Sequence, residues 1–520
     1  MTPSDPISPE TESEQLIERL LSASSDSDVE IEPHTVQSMP AVFIPHYTEA
    51  VLQYAEALSG GKAAEKISLW FSLFAQRLVA QDHRELSGIL STESVSRLGD
   101  LYHKHIESDV ICGAILRVLS TQSSENAGKT FVQLIIEHPP SGQRDATSSF
   151  LGWFQRTDYN PAILFPELFD ALHHPSVAGC ILDLANYVTR HDMTEVHPAR
   201  DRAEQIGTLL GSLVQQLHRL EESIPSDPKQ FAESQSRLAQ GTALIVSLCD
   251  AAGLMGEESL IGKLNQALEL GHRRLQIEAA SALARLKQEN GIERLVQLAG
   301  EPVVRNRALA YLEELEMLQR VSEEDQTPQA KAQGEVAQWL AAPTQLGLAP
   351  QKLDLCDTRT LPWPGFEEPV TCYLFRYTYR LAGKEVIGIA IAGPLVHAFT
   401  ANMSQLSPYD IYSAFVGWSA VHEEIDEQEI QEPSERLGAG REKEFAHLQS
   451  QGFDHLELVI EATFFGEKIL VAKATRNNQN GTVILQGDQY HWYSGTSQEL
   501  PPSMVYSMFK GKRLLKAFGV

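Results

Sequence analysis

The chain has 520 residues, 42% of them hydrophobic, and its 69 acidic and 42 basic residues leave a formal net charge of −27. That acidity disfavours nucleic acid and anionic membrane as partners, because both need a basic surface that displaces counterions. At ~100–200 residues per domain the length allows two to four domains, with apolar content enough for packed cores.

The charge is unevenly spread: 47 of the acids and 26 of the bases lie in residues 1–330. Five cysteines, Cys112, Cys180, Cys249, Cys356 and Cys372, form no CxxC pair. Their spacing suits reduced, mostly buried thiols rather than a disulfide framework or zinc knuckle. The N-terminus lacks the apolar segment of a signal peptide. The run Val386–Val396, broken by Gly393-Pro394, is too short to span a bilayer. These features lead us to expect a cytoplasmic protein with no membrane partner.

In chain order, residues 1–38 are expected to be a disordered acidic tail. Within it, Thr11-Glu12-Ser13-Glu14 has the form of a capping box, followed by Leu16, Ile17, Leu20 and Leu21 on one face of a short amphipathic helix. From residue 39 the apolar period is helical. Tyr47, Val51, Tyr54, Ala55 and Leu58 line one face, and Ser59-Gly60-Gly61 ends it; Ile67, Trp70, Phe71, Phe74, Leu78 and Val79 line the next. Further helices are expected near 109–121, 128–137, 161–173, 175–189, 200–221, 229–251 and 257–270. Turns such as His138-Pro139-Pro140-Ser141-Gly142 and Ile224-Pro225-Ser226-Asp227-Pro228 separate them.

A repeat then emerges. Ala279, Leu283 and Leu286 recur as Ala308, Leu312 and Leu315, each 29 residues later. A period in this range is the mark of stacked helix pairs, none of which buries its apolar face alone. The stretches His272–Leu283 and Val303–Leu312 that carry it resemble short HEAT repeats of the type first named from phycobilisome lyases. The resemblance covers about 60 residues and implies an armadillo-like α-solenoid, expected over 39–320. It carries no lyase activity with it, because HEAT repeats serve mostly as scaffolds.

Residues 321–335, polar with Pro and Gly, are expected to be a linker. Residues 336–520 then change period. Cys372–Leu381 alternates, Ala382-Gly383-Lys384 turns it into Val386–Ala392, and Ser407-Pro408-Tyr409-Asp410 starts a helix bearing Ile411, Phe415, Trp418 and His422 on one face. Strands near 455–463, 468–475 and 482–493 precede a last helix at 502–510 and a basic tail. The fold class expected is therefore multidomain: an all-α superhelical solenoid followed by a smaller α+β domain with a largely antiparallel sheet. The run from Trp363 through Gly393-Pro394 and Trp418 to His422-Glu423-Glu424 resembles a bacterial module appended to HEAT-repeat proteins, which brings architecture and no assigned activity.

Few residues suggest chemistry. His422-Glu423-Glu424 with Asp426, Glu427 and Glu429 is the densest cluster of metal-ligand types. HEAT-repeat di-iron hydroxylases distribute several His-Glu dipeptides, and this chain has one, outside its repeats. A core histidine followed by a solvated acidic run is the simpler account. His103-x-His105 and His173-His174 have weak ligand spacing. His397 with Cys372, Thr400 and Asp410 admits a Cys-His nucleophile, with no nucleophile elbow to support it. No P-loop or strand-linked GxGxxG occurs. Arg273, Arg274, Arg305 and Arg307 are expected to pair with Glu278, Glu301 and Glu313. Trp363 and Phe366 of the Trp363-Pro-Gly-Phe366 loop could anchor a peptide or pack back on their own sheet. The candidate ligand-binding residues are thus Trp363, Phe366, His397, His422 and Glu423, with no metal and no cofactor expected. The expected function is a non-enzymatic scaffold or adaptor that binds a protein partner through the helical-repeat surface. The alternative is a metal- or small-molecule-dependent enzyme with its site in the C-terminal domain.

Overall fold

The computed structural model describes every residue except 1–7, 24–28, 59–60, 80–85, 87, 223–227, 346, 382, 438–439, 495–499 and 520. The expected stop at Ser59-Gly60, the turn at 224–227 and most of Gly438-Ala-Gly440 lie outside the described residues. The chain forms two compact units, 1–295 and 296–520.

The first unit is helical. It comprises α1 (Pro9–Ser22), α2 (Pro33–Gln37), α3 (Ile44–Ala57), α4 (Gly61–Val79), α5 (Thr92–Lys104), α6 (Asp109–Ser120), α7 (Glu125–Glu137), α8 (Gln143–Ser149) and α9 (Leu151–Phe154). It continues with α10 (Pro175–Arg190), α11 (Ala203–Glu222), α12 (Pro228–Met255), α13 (Ile261–Leu268) and α14 (Arg273–Arg285), and α15 (Glu289–Ala299) carries the division between units. Where a helix was expected over 161–173 the chain makes two 3₁₀ segments, Pro161–Ile163 and Glu167–His173.

These helices lie in two rows. In one, α3 meets α5, α5 meets α7, α7 meets the 3₁₀ segment at Glu167–His173, and further on α11 meets α13. In the other, α4, α6, α8, α10, α12 and α14 each touch the next. One apolar core runs between them from Leu16 to Leu283. The amphipathic helix expected within the acidic tail contributes to it: α1 buries Leu16, Ile17 and Leu20. Apolar side chains spaced 3–4 apart on α1 gain more by burial than a free tail gains in chain entropy. Its N-cap is Ser8, which accepts from the Thr11 N–H, three residues before the expected box. Ser236–Met255 is long and apolar enough to cross a membrane, with a mean hydropathy of 1.5; 56% of it is buried among neighbouring helices.

The second unit opens with α16 (Pro302–Glu314), α17 (Glu323–Gln326) and α18 (Pro328–Leu340). The expected linker is therefore helix. Ser322 and Thr327 supply N-caps, and buried Arg305 ties the segment down through the carbonyl of Ala330 (3.0 Å) and the carboxylate of Asp325 (3.2 Å). Two antiparallel sheets follow. β1 (Lys352–Leu361), β2 (Val370–Leu381), β3 (Lys384–Ala392) and β4 (His397–Phe399) pair in sequential order. After α19 (Pro408–Ser419) come β5 (Ile425–Glu429), α20 (Pro433–Arg436), α21 (Glu442–Ser450), β6 (Asp454–Phe464), β7 (Glu467–Arg476), β8 (Gln479–Gln486) and β9 (Gln489–Ser494), with β5 to β9 again in order. The strand expected over 482–493 is two strands, because Gly487 at φ +56 reverses the chain. The expected basic tail is part of α22 (Pro502–Phe518).

The alternation of each strand feeds two faces. The β1–β4 sheet covers α18 with Phe375, Tyr377, Tyr379, Ala390 and Ala392. The β5–β9 sheet covers α21 with Leu458, Leu470, Ala472, Val483 and Leu485. The opposite faces of both sheets share one core with α19 and α22.

Candidate functional site: an aromatic ledge at strand β4

Three segments converge at the β4 edge. β4 presents His397 and Phe399, α19 presents Phe415 and Trp418, and the C-terminal turn of α18 presents Trp339. Ser407 caps α19 by accepting from the Asp410 N–H at 3.2 Å, and Pro408 fixes its first turn. The helix then carries Phe415 and Trp418, three apart, along the strand.

The rings form two stacked pairs joined by edge-on contacts. His397 lies parallel to Trp418, with centroids 3.6 Å apart and planes 12° apart. Phe399 lies on Phe415 at 4.5 Å and 23°. Trp339 meets the His397 edge at 5.5 Å and 67°. Burial lowers the His397 pKa, so the ring is neutral at neutral pH and acts as an aromatic rather than a cation. Trp418 remains 50% exposed and Val421, three residues on, is fully exposed. A half-exposed indole held rigid on a histidine face offers contact area at low entropic cost, as binding anchors do.

The other expected site residues are placed differently. Trp363 is buried at 3% exposure, in the core between the sheets; Phe366, three residues along, stays 48% exposed. The indole of Trp363 therefore serves folding, and the loop packs back on its own domain. α19 ends at Ser419, so His422 is not on its apolar face. The His422 ring accepts the Glu424 N–H at 3.3 Å and lies 4.8 Å from Phe465. Glu423 is exposed. Glu427 of the acidic run turns away to pair with Lys510 at 2.5 Å. Among the described residues no three His, Cys, Asp or Glu side chains are placed to hold a metal ion.

The Cys-His grouping is not assembled. The Cys372 thiol donates to the Val370 carbonyl at 3.5 Å, and burial pushes its pKa up to about 12, leaving no thiolate at neutral pH. Asp410 pairs with Lys512 at 2.8 Å. Of the arginines expected to pair with glutamates, Arg305 binds Asp325 and the carbonyls of Ala299, Gly300 and Ala330. Trp339, Phe399, Phe415 and Trp418 were not among the candidate residues. Their signal was aromatic side chains on β4, on the helix that follows it, and at the end of α18, three strands earlier.

Comparison with known proteins finds that no protein family, no curated protein and no solved structure matches this chain.

Proposed function

We propose that the protein is a non-enzymatic scaffold or adaptor of the HEAT-like solenoid class, binding a protein partner along its helical surface. The observation that carries this reading is a local structure that recurs once, 29 residues on. α14 and α16 are both 13 residues long. Each ends in a Schellman turn with a residue at positive φ, Lys287 (φ +59) and Glu316 (φ +57). The closing bonds match: Gln288 N–H to Leu283 O, and Met317 N–H to Leu312 O. Even the side chains at the matching position do one job. Gln276 Nε2 donates to the Leu270 carbonyl at 2.7 Å, and Arg305 Nε to the Ala299 carbonyl at 3.0 Å. Each thereby satisfies the end of the preceding helical segment.

In a solenoid of such pairs one long surface is exposed, which suits an extended protein partner better than a small substrate. The first unit's two rows of helices support the same reading. The ledge at β4 is a second contact point, with Trp418 as its anchor. All five cysteines are free, which suits a reducing compartment such as the cytoplasm.

The test is cross-linking of the full chain in native extract, followed by purification and mass spectrometry. One stoichiometric partner, linked to residues on the helical rows and lost on competition with unlabelled chain, supports the adaptor. Metal-dependent turnover of a small molecule, with no stoichiometric partner, would replace it by the enzyme reading.

A further inference from the structure

The two helices at the centre of the second unit share a sequence. Pro408, Tyr412, Ser413, Phe415 and Gly417 of α19 recur in α22 as Pro502, Tyr506, Ser507, Phe509 and Gly511, every one 94 residues later. Ile411 and Val505 correspond at the same spacing.

The elements around them recur in the same order. A helix, a four-stranded antiparallel meander and a second helix run α18-β1-β2-β3-β4-α19, and again α21-β6-β7-β8-β9-α22. In both, the leading helix packs on the outer face of its meander and the closing helix on the inner face. In both, the first strand carries a bulge, at Leu355/Asp357 and at Leu458/Ile460. In both, the second and third strands pair up to the end of the ladder three residues apart, Leu381 with Lys384 and Arg476 with Gln479.

The contact between the helices is reciprocal. Gly417 lies against the Ser507 carbonyl, and Gly511 lies against the Ser413 carbonyl. Ser413 and Ser507 each donate their hydroxyl to the carbonyl four residues back, at 2.8 and 3.0 Å. Contacts in which residue i meets j′ and j meets i′ are the signature of a two-fold interface.

We infer that residues 328–520 are two fused copies of one α-β4-α protomer related by a pseudo-two-fold axis through α19 and α22, and that this seam is a homodimer interface now supplied within one chain. The surface fits a homologous protomer, and the second copy is its partner. The copies have since diverged where the seam reaches solvent. The position after the shared glycine is Trp418 in one and Lys512 in the other, where it pairs with Asp410. A lysine satisfies the fold at that position, so the exposed tryptophan of the first copy is not demanded by folding.

The test is an exchange in the full chain. Residues 408–415 and 502–509 are swapped in register, with Val416, Lys510 and both glycines left in place, so interface composition is conserved. A second variant makes the same exchange displaced by one residue. Scanning calorimetry reads both. Equivalent positions predict that the in-register exchange melts cooperatively within about 5 °C of the parent, and that the displaced exchange loses the transition. Equal damage from the two exchanges, including failure of both to fold, overturns the duplication.

Discussion

The helices α19 and α22 approach closely at Gly417 and Gly511, and adding one methyl group tests that contact. A Cβ on Gly417 would sit 1.8 Å from the Ser507 carbonyl oxygen and 2.9 Å from the Gly511 nitrogen. Contacts to Cβ below 3.0 Å essentially do not occur, so α19 and α22 must part by about 1.2 Å, the difference between 3.0 and 1.8. The obstruction is backbone at the centre of a helix pair, which cannot swing aside as a side chain can. A gap of this size also forfeits a quarter to a half of the dispersion attraction between the facing atoms. Overpacking of this severity belongs at the upper end of its range, about 3 kcal/mol. Replacing a helical glycine by alanine returns about 1 kcal/mol of propensity. The net loss from Gly417→Ala is then about 2 kcal/mol, or ~4–8 °C in Tm for a unit of this size. Gly511→Ala, whose Cβ would lie 1.6 Å from the Ser413 oxygen, should lose as much or more. Gly262→Ala is the control, since Gly262 lies within α13 with nothing within 4 Å of its Cβ position. It should melt at or slightly above the parent temperature. If Gly417→Ala and Gly511→Ala behave like the control in calorimetry of the full chain, the close contact is not what holds the two helices.

Other perturbations follow the same logic. The Lys510 side chain is 6% exposed and its partner Glu427 is 37% exposed, so removing the carboxylate strands a buried ammonium, whereas removing the ammonium leaves a carboxylate that water can reach. Glu427→Ala should therefore cost about 2 kcal/mol, discounted from the cost of breaking a fully buried pair, and more than Lys510→Met does; urea titration of both variants reads the order, and the reverse order would contradict it. In the first unit, buried His197 bonds Asn186 Oδ1 through Nε2 (3.0 Å) and accepts the Ala199 N–H at Nδ1 (3.1 Å), which requires the neutral ring. Burial lowers its pKa from 6.5 to about 4. The unfolded chain binds the extra proton between those values, so stability is full above pH 6.5 and falls as pH drops toward 4, by about 3 kcal/mol in all. His197→Gln should flatten that slope in acid titrations followed by circular dichroism. Trp418→Ala should leave Tm nearly unchanged, because the ring is half exposed, yet weaken capture of the cross-linked partner by about 30-fold if it is an anchor worth ~2 kcal/mol.

Much of the architecture was legible in the residues. Aromatic and aliphatic side chains at helical spacing in Tyr47–Leu58 and Ile67–Val79 mark α3 and α4. The alternation Cys372–Leu381 marks β2, with its aromatic face turned to α18. The amphipathic helix in the acidic tail was legible, but the burial of Leu16, Ile17 and Leu20 was not, because burial needs a body to receive them and composition over 1–38 reads as disorder. The linker was misjudged for a related reason: Gln, Ala and Glu in 323–335 are helix formers whose burial is supplied by neighbours, with Arg305 of another element holding the Ala330 carbonyl. His422 was assigned to a helix face because periodicity does not report where a helix stops. In the structure Ala420 leaves the helical region at ψ 113 and ends it.

Sequence by itself determined the helical class of the first part, the strand-rich class of the second, the 29-residue period and, in Pro408–Gly417 and Pro502–Gly511, a 94-residue correspondence that passes unnoticed without a reason to align two short helices. Tertiary structure alone decided which of the candidate side chains meet. Local patterning fixes which face of an element is apolar, but the partner of that face is chosen by packing between residues far apart in the chain. Cys372 went to a backbone carbonyl and Trp363 to the core. His397 went to the face of Trp418, where two glycines let the helices come close enough to hold the ledge in place.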